Sequence, residues 1–200
     1  MNRTLRLGQL GPAIRLMVLL TVLLGLAYPL ATTGLAQLVF PGRANGSLVH
    51  RDDRLVGSSL IGQSFAGDPA YFQGRPSAGG YDPLTTGASN LALDNPDLIK
   101  LVGKRRAQVS RSDGIPVAAV PADALLASGS GLDPQISPAY AAVQVARVSR
   151  TRHLSPVLVR HLVAEHTTGR TLGFLGEPRV NVLELNLALD RATSTGRMGP

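Results

Sequence analysis

Apolar residues are spread unevenly along this 200-residue chain. From Leu16 to Phe40 it reads LMVLLTVLLGLAYPLATTGLAQLVF, 25 residues without a charge. A helix of that length reaches about 37 Å, against roughly 30 Å of bilayer hydrocarbon. The pattern predicts a membrane helix over residues 15–40, kinked at Pro29, behind a short basic tail over residues 1–14. A cleaved leader is the competing reading, since Gly34 and Ala36 offer small residues at a peptidase spacing. The uncharged run is far longer than the apolar region of such a leader, which favours a retained helix.

Residues 41–53, PGRANGSLVHRDD, are polar and turn-rich and read as a linker. Residues 54–194 are expected to form one soluble domain, and 195–200 a tail. Six times in the domain a capping-type residue precedes proline: Asp68-Pro69, Asp82-Pro83, Asn95-Pro96, Asp133-Pro134, Ser137-Pro138 and Ser155-Pro156. Asp, Asn and Ser accept from free helix amides, and proline suits the first helical position. Three of these pairs open helical patterns, beginning at Pro96, Pro138 and Pro156. Strands are expected at 54–62 (RLVGSSLIG), 115–120 (IPVAAV) and 178–182 (PRVNV). In VLELNLALD, Leu183, Leu185, Leu187 and Leu189 alternate as in a strand, while the cap Asn181 and the i,i+4 leucine pairs favour a helix. A short strand running into a helix is expected there. The fold class is thus one N-terminal transmembrane helix followed by a mixed α/β soluble domain.

Charge sharpens the picture only slightly. The chain carries 20 Lys and Arg against 13 Asp and Glu, a net charge of +7. The densest basic patch is Lys100, Lys104, Arg105, Arg106 and Arg111. No aromatic residue is interleaved there, so bases have nothing to stack on, and no nucleic-acid partner is expected. The absence of Cys removes disulfides, thiolate metal sites and cysteine nucleophiles. Arg3, Arg6 and Arg15 before the apolar run outweigh Arg43, Arg51 and Arg54 after it only through Arg15 at the helix edge. The expected orientation is a cytoplasmic N-terminus with the domain outside the cytoplasm.

Candidate chemistry is sparse. The loop ASGSGLDPQISP (127–138) opens with Ser128-Gly129-Ser130-Gly131, but no Lys follows as a phosphate loop requires. Its serines also lack the spacing of a Gly-x-Ser-x-Gly nucleophile turn. His161, Glu165 and His166 match no zinc spacing, and no metal ligands are expected. A hydrolase built on Ser128 or Ser130, with Asp133 and one of His50, His153, His161 or His166, is the alternative function. The stretch 71–98 has almost no helical or strand period, and such long loops usually bind something. Partner contacts are expected at Tyr71, Phe72, Arg75, Pro76, Ser77, Ser89 and Asn90. In the second loop they are expected at Ser128, Gly129, Ser130, Gly131 and Asp133. No catalytic residue is assigned.

Five blocks together carry a resemblance: VGSSLIGQSF (56–65), YFQGRPSA (71–78), GASNLALDNPDL (87–98), ASGSGLDPQISPAYAAVQVARV (127–148) and RVNVLELNLALD (179–190). In order, spacing and apolar N-terminus the chain resembles the C subunit of the Kdp potassium-transporting ATPase. The resemblance implies a single-pass, non-catalytic subunit of the bacterial cell membrane. Its partners would be a channel-like potassium-binding subunit, an ATP-hydrolysing P-type subunit and membrane lipid. It implies no tightly bound cofactor and a role as a catalytic chaperone that raises ATP affinity. The glutamine matching Gln144 is the proposed nucleotide contact. With the domain outside the cytoplasm, Gln144 could not meet cytoplasmic ATP, and any effect would pass between distant sites.

Overall fold

A computed structural model describes residues 3–196, and the side chains of 8–194. From residue 197 on, the expected C-terminal tail lies outside the described residues, as do the first two residues of the basic tail. The chain divides into two compact units, Met1–Leu48 and Val49–Pro200.

The first unit is a long helix, α1 (Arg3–Val22) continued by α2 (Tyr28–Val39). Its helical backbone begins inside the segment expected as a tail. Gly8–Val39 is apolar enough to cross a membrane, with a mean hydropathy of 2.1. Leu23–Ala27 forms a π-turn, in which the Tyr28 amide donates to Leu23 O. The cause is Pro29, whose ring has no N–H and displaces the carbonyl one turn before it. One extra residue in that turn absorbs the misfit. The helix ends at Phe40, and Pro41–Ala44 makes a single further turn, α3. The amides of Gln37 and Asn45 exchange two hydrogen bonds, at 3.1 and 3.2 Å.

The second unit begins with a hairpin. Strands β1 (Leu48–Arg51) and β2 (Arg54–Ser58) pair across Asp52-Asp53. Both aspartates have positive φ, 48° and 61°, the backbone of a two-residue turn matched to strand twist. The stretch expected as a linker therefore carries α3 and β1, and the expected strand over 54–62 stops at Ser58. Helix α4 (Pro96–Asp113) follows, capped by Asn95, whose side chain accepts from Asp97 N at 2.8 Å. Strand β3 is Gln135–Ile136. Helix α5 (Pro138–Arg152) is capped by Ser137, and α6 (Pro156–Glu165) by Ser155. Strand β4 is Thr167–Thr168 and β5 is Arg179–Asn181. Helix α7 (Val182–Gly196) closes the fold. The three short strands form one antiparallel sheet, order β3-β5-β4, with Ile136 opposite Val180 and Thr167 opposite Val180.

All three Asn-Pro or Ser-Pro helix starts stand where the sequence puts them. One strand expectation fails, and that of a short strand running into a helix is met with the strand ending earlier. Residues 117–119 and 122–124 are 3-10 turns, because Pro116 and Pro121 deny the ladder its donors and fix φ near a turn value. VLELNLALD is helix throughout, the strand ending at Asn181, whose Oδ1 accepts from Glu184 N at 3.2 Å. Its four alternating leucines are all buried. The alternation arises because α7 is covered on several sides, so more than one helical stripe is apolar.

The core joins α5, α6, α7 and β5, with Val148, Val159, Val180, Leu185 and Leu189 fully buried. One ion pair lies inside it. Asp113, in the last turn of α4, sits where the helix dipole disfavours a negative charge. Arg147 of α5 answers it with an Nε–Oδ1 contact of 2.6 Å, both side chains under one-tenth exposed. Removing one partner strands the other charge in a poorly solvated site. Arg147→Met is therefore expected to cost the detergent-solubilised chain about 3–5 kcal/mol, read as a lowered denaturant midpoint. A midpoint unchanged from wild type would show that the pair does not hold α4 on α5.

Candidate functional site

The sequence-predicted partner loop begins as an irregular segment pressed against two helices. Residues 69–73 belong to no helix or strand, so their peptide groups must find partners outside a ladder. Side chains supply them. Arg147 Nη1 donates to Pro69 O at 2.6 Å and to Tyr71 O at 2.9 Å. Arg152 Nε donates to Ala70 O at 2.6 Å. The Asn186 amide takes both polar groups of Phe72: Phe72 N donates to its Oδ1 at 2.9 Å, and its Nδ2 donates to Phe72 O at 3.0 Å. Gln144 does the same for Gln73, at 2.7 and 3.2 Å. Five consecutive carbonyls are thus received by side chains of α5 and α7. Each amide clamp imitates one rung of a β-ladder, with a side chain in place of the second strand.

Gln144 is fully buried. Its Oε1 also accepts from Arg147 Nη2 at 2.7 Å, so the clamp and the Arg147–Asp113 pair form one network. The nucleotide candidate of the sequence is therefore a residue that bonds a neighbouring loop. Phe72, between the clamps, is fully buried beneath them.

Tyr71 is held from the other side. Its hydroxyl donates to Asp190 Oδ2 at 3.2 Å, and the Arg152 guanidinium lies 4.4 Å from its ring centroid. Asp190 also receives Arg51 Nη1 at 2.6 Å and Arg152 Nη1 at 2.8 Å. That cluster ties β1, the loop, α5 and α7 together.

The remaining candidates lie where the two predicted loops meet. Ser128 N donates to Pro76 O at 3.2 Å, and Gly87 N donates to Ser130 O at 2.8 Å. Arg75 and Asp133 form an ion pair at 3.1 Å, each side chain about one-quarter exposed. Ser77 Oγ accepts from Tyr81 N, and the Tyr81 hydroxyl donates to Arg75 O. Burial pushes the Tyr81 phenol up to about 12, with Asp133 adding to the rise and Arg75 opposing it. Gly131 has φ +71°, and a Cβ there would meet Gly87 O at 2.9 Å. Glycine is needed on both counts. Ser128, Gly131 and Phe72 are buried, while Ser89, Asn90, Gly129 and Ser130 are exposed. The two loops form one surface, and only part of the predicted contact set faces solvent.

Among the described residues, no hydrogen bond joins Ser128 or Ser130 to a histidine, as the hydrolase alternative requires. Ser130 Oγ accepts from Leu132 N, and Ser128 is buried. His161 faces Glu165 of its own helix at 3.7 Å, and His166 Nδ1 is 2.8 Å from Leu162 O. Sequence reasoning missed Arg147, Arg152, Asn186 and Asp190. Asn186 did leave a signal, as a lone amide inside an apolar run. The arginines left none, since exposed and buried arginines look alike in a sequence.

Comparison with known proteins covers both the apolar helix and the domain behind it. The family described as KdpC, K+-transporting ATPase, c chain, matches residues 10–191. A "Potassium-transporting ATPase KdpC subunit" from Kineococcus radiotolerans is 55% identical over 188 residues, covering 93% of this chain and 95% of that one. Its counterpart from Gemmatimonas aurantiaca is 52% identical over 190 residues, covering 94% of each. That from Serratia proteamaculans is 49% identical over 187 residues, covering 92% and 98%. Over this length and identity, the chain belongs to the KdpC family, whose members are non-catalytic subunits of the potassium-transporting ATPase.

Proposed function

We propose that the chain is the single-pass accessory subunit of an ATP-driven potassium importer, needed for assembly and activity. The observation that carries this reading is the family match across residues 10–191, spanning both helix and domain. The membrane helix tethers the domain beside its companions. The joined surface of residues 71–98 and 127–138 docks on the channel-like subunit. The stitching of these loops by backbone bonds, and the anchoring of 69–73 by four buried side chains, support a docking surface formed before it meets a partner. A surface held in shape loses little conformational freedom on binding.

The domain lies outside the cytoplasm in this reading, with the N-terminus inside. It raises the ATP affinity of the ATPase subunit by coupling through the complex, since allosteric linkage needs no contact with the ligand. Gln144 acts by holding the docking loop. The burial of its amide against Gln73 and Arg147 supports that role.

Three measurements test the reading. A reporter enzyme that folds only outside the cytoplasm, fused after Pro200, is expected to be active. Activity of a cytoplasm-only reporter at that position would overturn the topology and reopen direct ATP contact. Deleting residues 1–40 is expected to leave a domain that no longer joins the complex. Normal potassium-limited growth with that truncation would remove the anchor role. Gln144→Ala is expected to destabilise the chain, without any nucleotide present, by on the order of 3 kcal/mol, because buried groups of Gln73 and Arg147 lose their partner. Wild-type stability combined with lost ATP affinity in the complex would point instead to nucleotide contact.

A further inference from the structure

Between the 64–81 loop and α4 lies a cleft of about 640 Å³, walled in part by Arg75, Pro76 and Ser77 of the docking loop. Its volume is that of a small-molecule site. Phe65, Pro76 and Val109 give it apolar walls. Its polar groups are mostly donors, and several are unspent. Arg105 reaches in from α4, with Nη1 on Leu125 O at 2.8 Å and no ion pair among the described residues. Burial lowers its pKa from the ordinary arginine value, though arginine stays charged at any physiological pH. Tyr140 lines the cleft, and its hydroxyl makes no hydrogen bond among the described residues. Burial, and next the charge of Asp113, raise its pKa and keep it a neutral donor.

The negative groups nearby have partners, among them Asp123, which accepts from Ser137 N at 2.7 Å and Ser137 Oγ at 3.1 Å. Asp113 is held by Arg147, and Asp133 by Arg75. Asp68, at the exposed rim, accepts from Ala70 N at 2.8 Å. Arg105 is the charge left over. Lys104, Arg106 and Arg111, on the same helix, add to the positive field around it. This gives the basic patch of the sequence a chemical destination that nucleic acid did not.

We infer that the cleft binds a carboxylate joined to an apolar body, gripped by Arg105 with the Tyr140 hydroxyl. A guanidinium fork matches a carboxylate with two parallel hydrogen bonds, which suits it better than an ammonium group. A carboxylate alone is far smaller than the cleft, and the apolar walls accommodate the rest of the molecule. The carboxylate comes either from a free organic acid or from an Asp or Glu side chain of a companion subunit.

Benzoate is the probe, and benzamide is its neutral isostere. The full chain in neutral detergent is titrated with each at matched ionic strength. Binding is read by calorimetry. Benzoate is expected to bind saturably, with benzamide at least about tenfold weaker. Arg105→Gln is expected to weaken benzoate about tenfold, and Arg105→Lys not to restore it. Tyr140→Phe, which keeps the ring in the core, is expected to weaken it several-fold. It carries the test if Arg105→Gln fails to fold. Equal binding of benzamide, a non-saturating response, or affinity untouched in both variants overturns the inference. In the assembled complex, retained benzoate binding identifies a free acid as the ligand. Exclusion of benzoate until the chain is stripped from its companions identifies a subunit side chain. Failure of both free chain and complex to bind overturns the site. The topology and truncation experiments are unaffected by either result.

Discussion

The soluble unit depends on giving hydrogen-bond partners to an irregular segment buried against helices. The peptide groups of residues 69–73 cannot pair with themselves, and leaving one unpaired in the interior costs about 1–3 kcal/mol. Arg147, Arg152, Gln144 and Asn186 answer them one by one. Each of these side chains is polar, mostly buried and committed to one geometry. The segment is consequently as fixed as a strand, without being one. Phe72 fills the core beneath it, so the apolar and polar sides of the same five residues are secured together.

This construction accounts for the many buried polar groups of the second unit. Gln144, Arg147, Asp113 and Asn186 would look like active-site chemistry if judged by burial alone. Their partners are the protein's own backbone and each other. What they produce is shape: a loop held at a set height over α5 and α7, continuing into the surface where the 71–98 and 127–138 loops bond to one another. The Asp190 cluster extends the same logic, linking the β1 hairpin to the helices through Arg51 and Arg152.

The membrane unit follows a simpler constraint. A proline inside an apolar helix must be accommodated by the helix itself, because backbone groups exposed to lipid have no other partner. The π-turn at Leu23–Ala27 achieves this one turn before Pro29. A kink was foreseeable from the proline. Its form, an extra residue in the ladder instead of a broken bond, was not.

Local rules made much of this legible in the amino-acid sequence. The apolar run at 16–40 marks the span because no water-soluble fold exposes so many uncharged residues in a row. Asn95, Ser137 and Ser155 mark helix starts because capping and proline geometry act within three residues. Those signals need no knowledge of the rest of the chain. The tertiary structure alone decided that the helix expected in 183–189 takes in all four alternating leucines, since the pattern reflects covering from several sides. It alone identified the loop that Gln144 and Asn186 clamp, more than 70 and 110 residues away, and decided that Arg105 of the basic patch faces a cleft while its neighbours face solvent. The reason is common to all three. A polar or apolar side chain takes its meaning from what the fold places beside it, and that partner is distant along the chain.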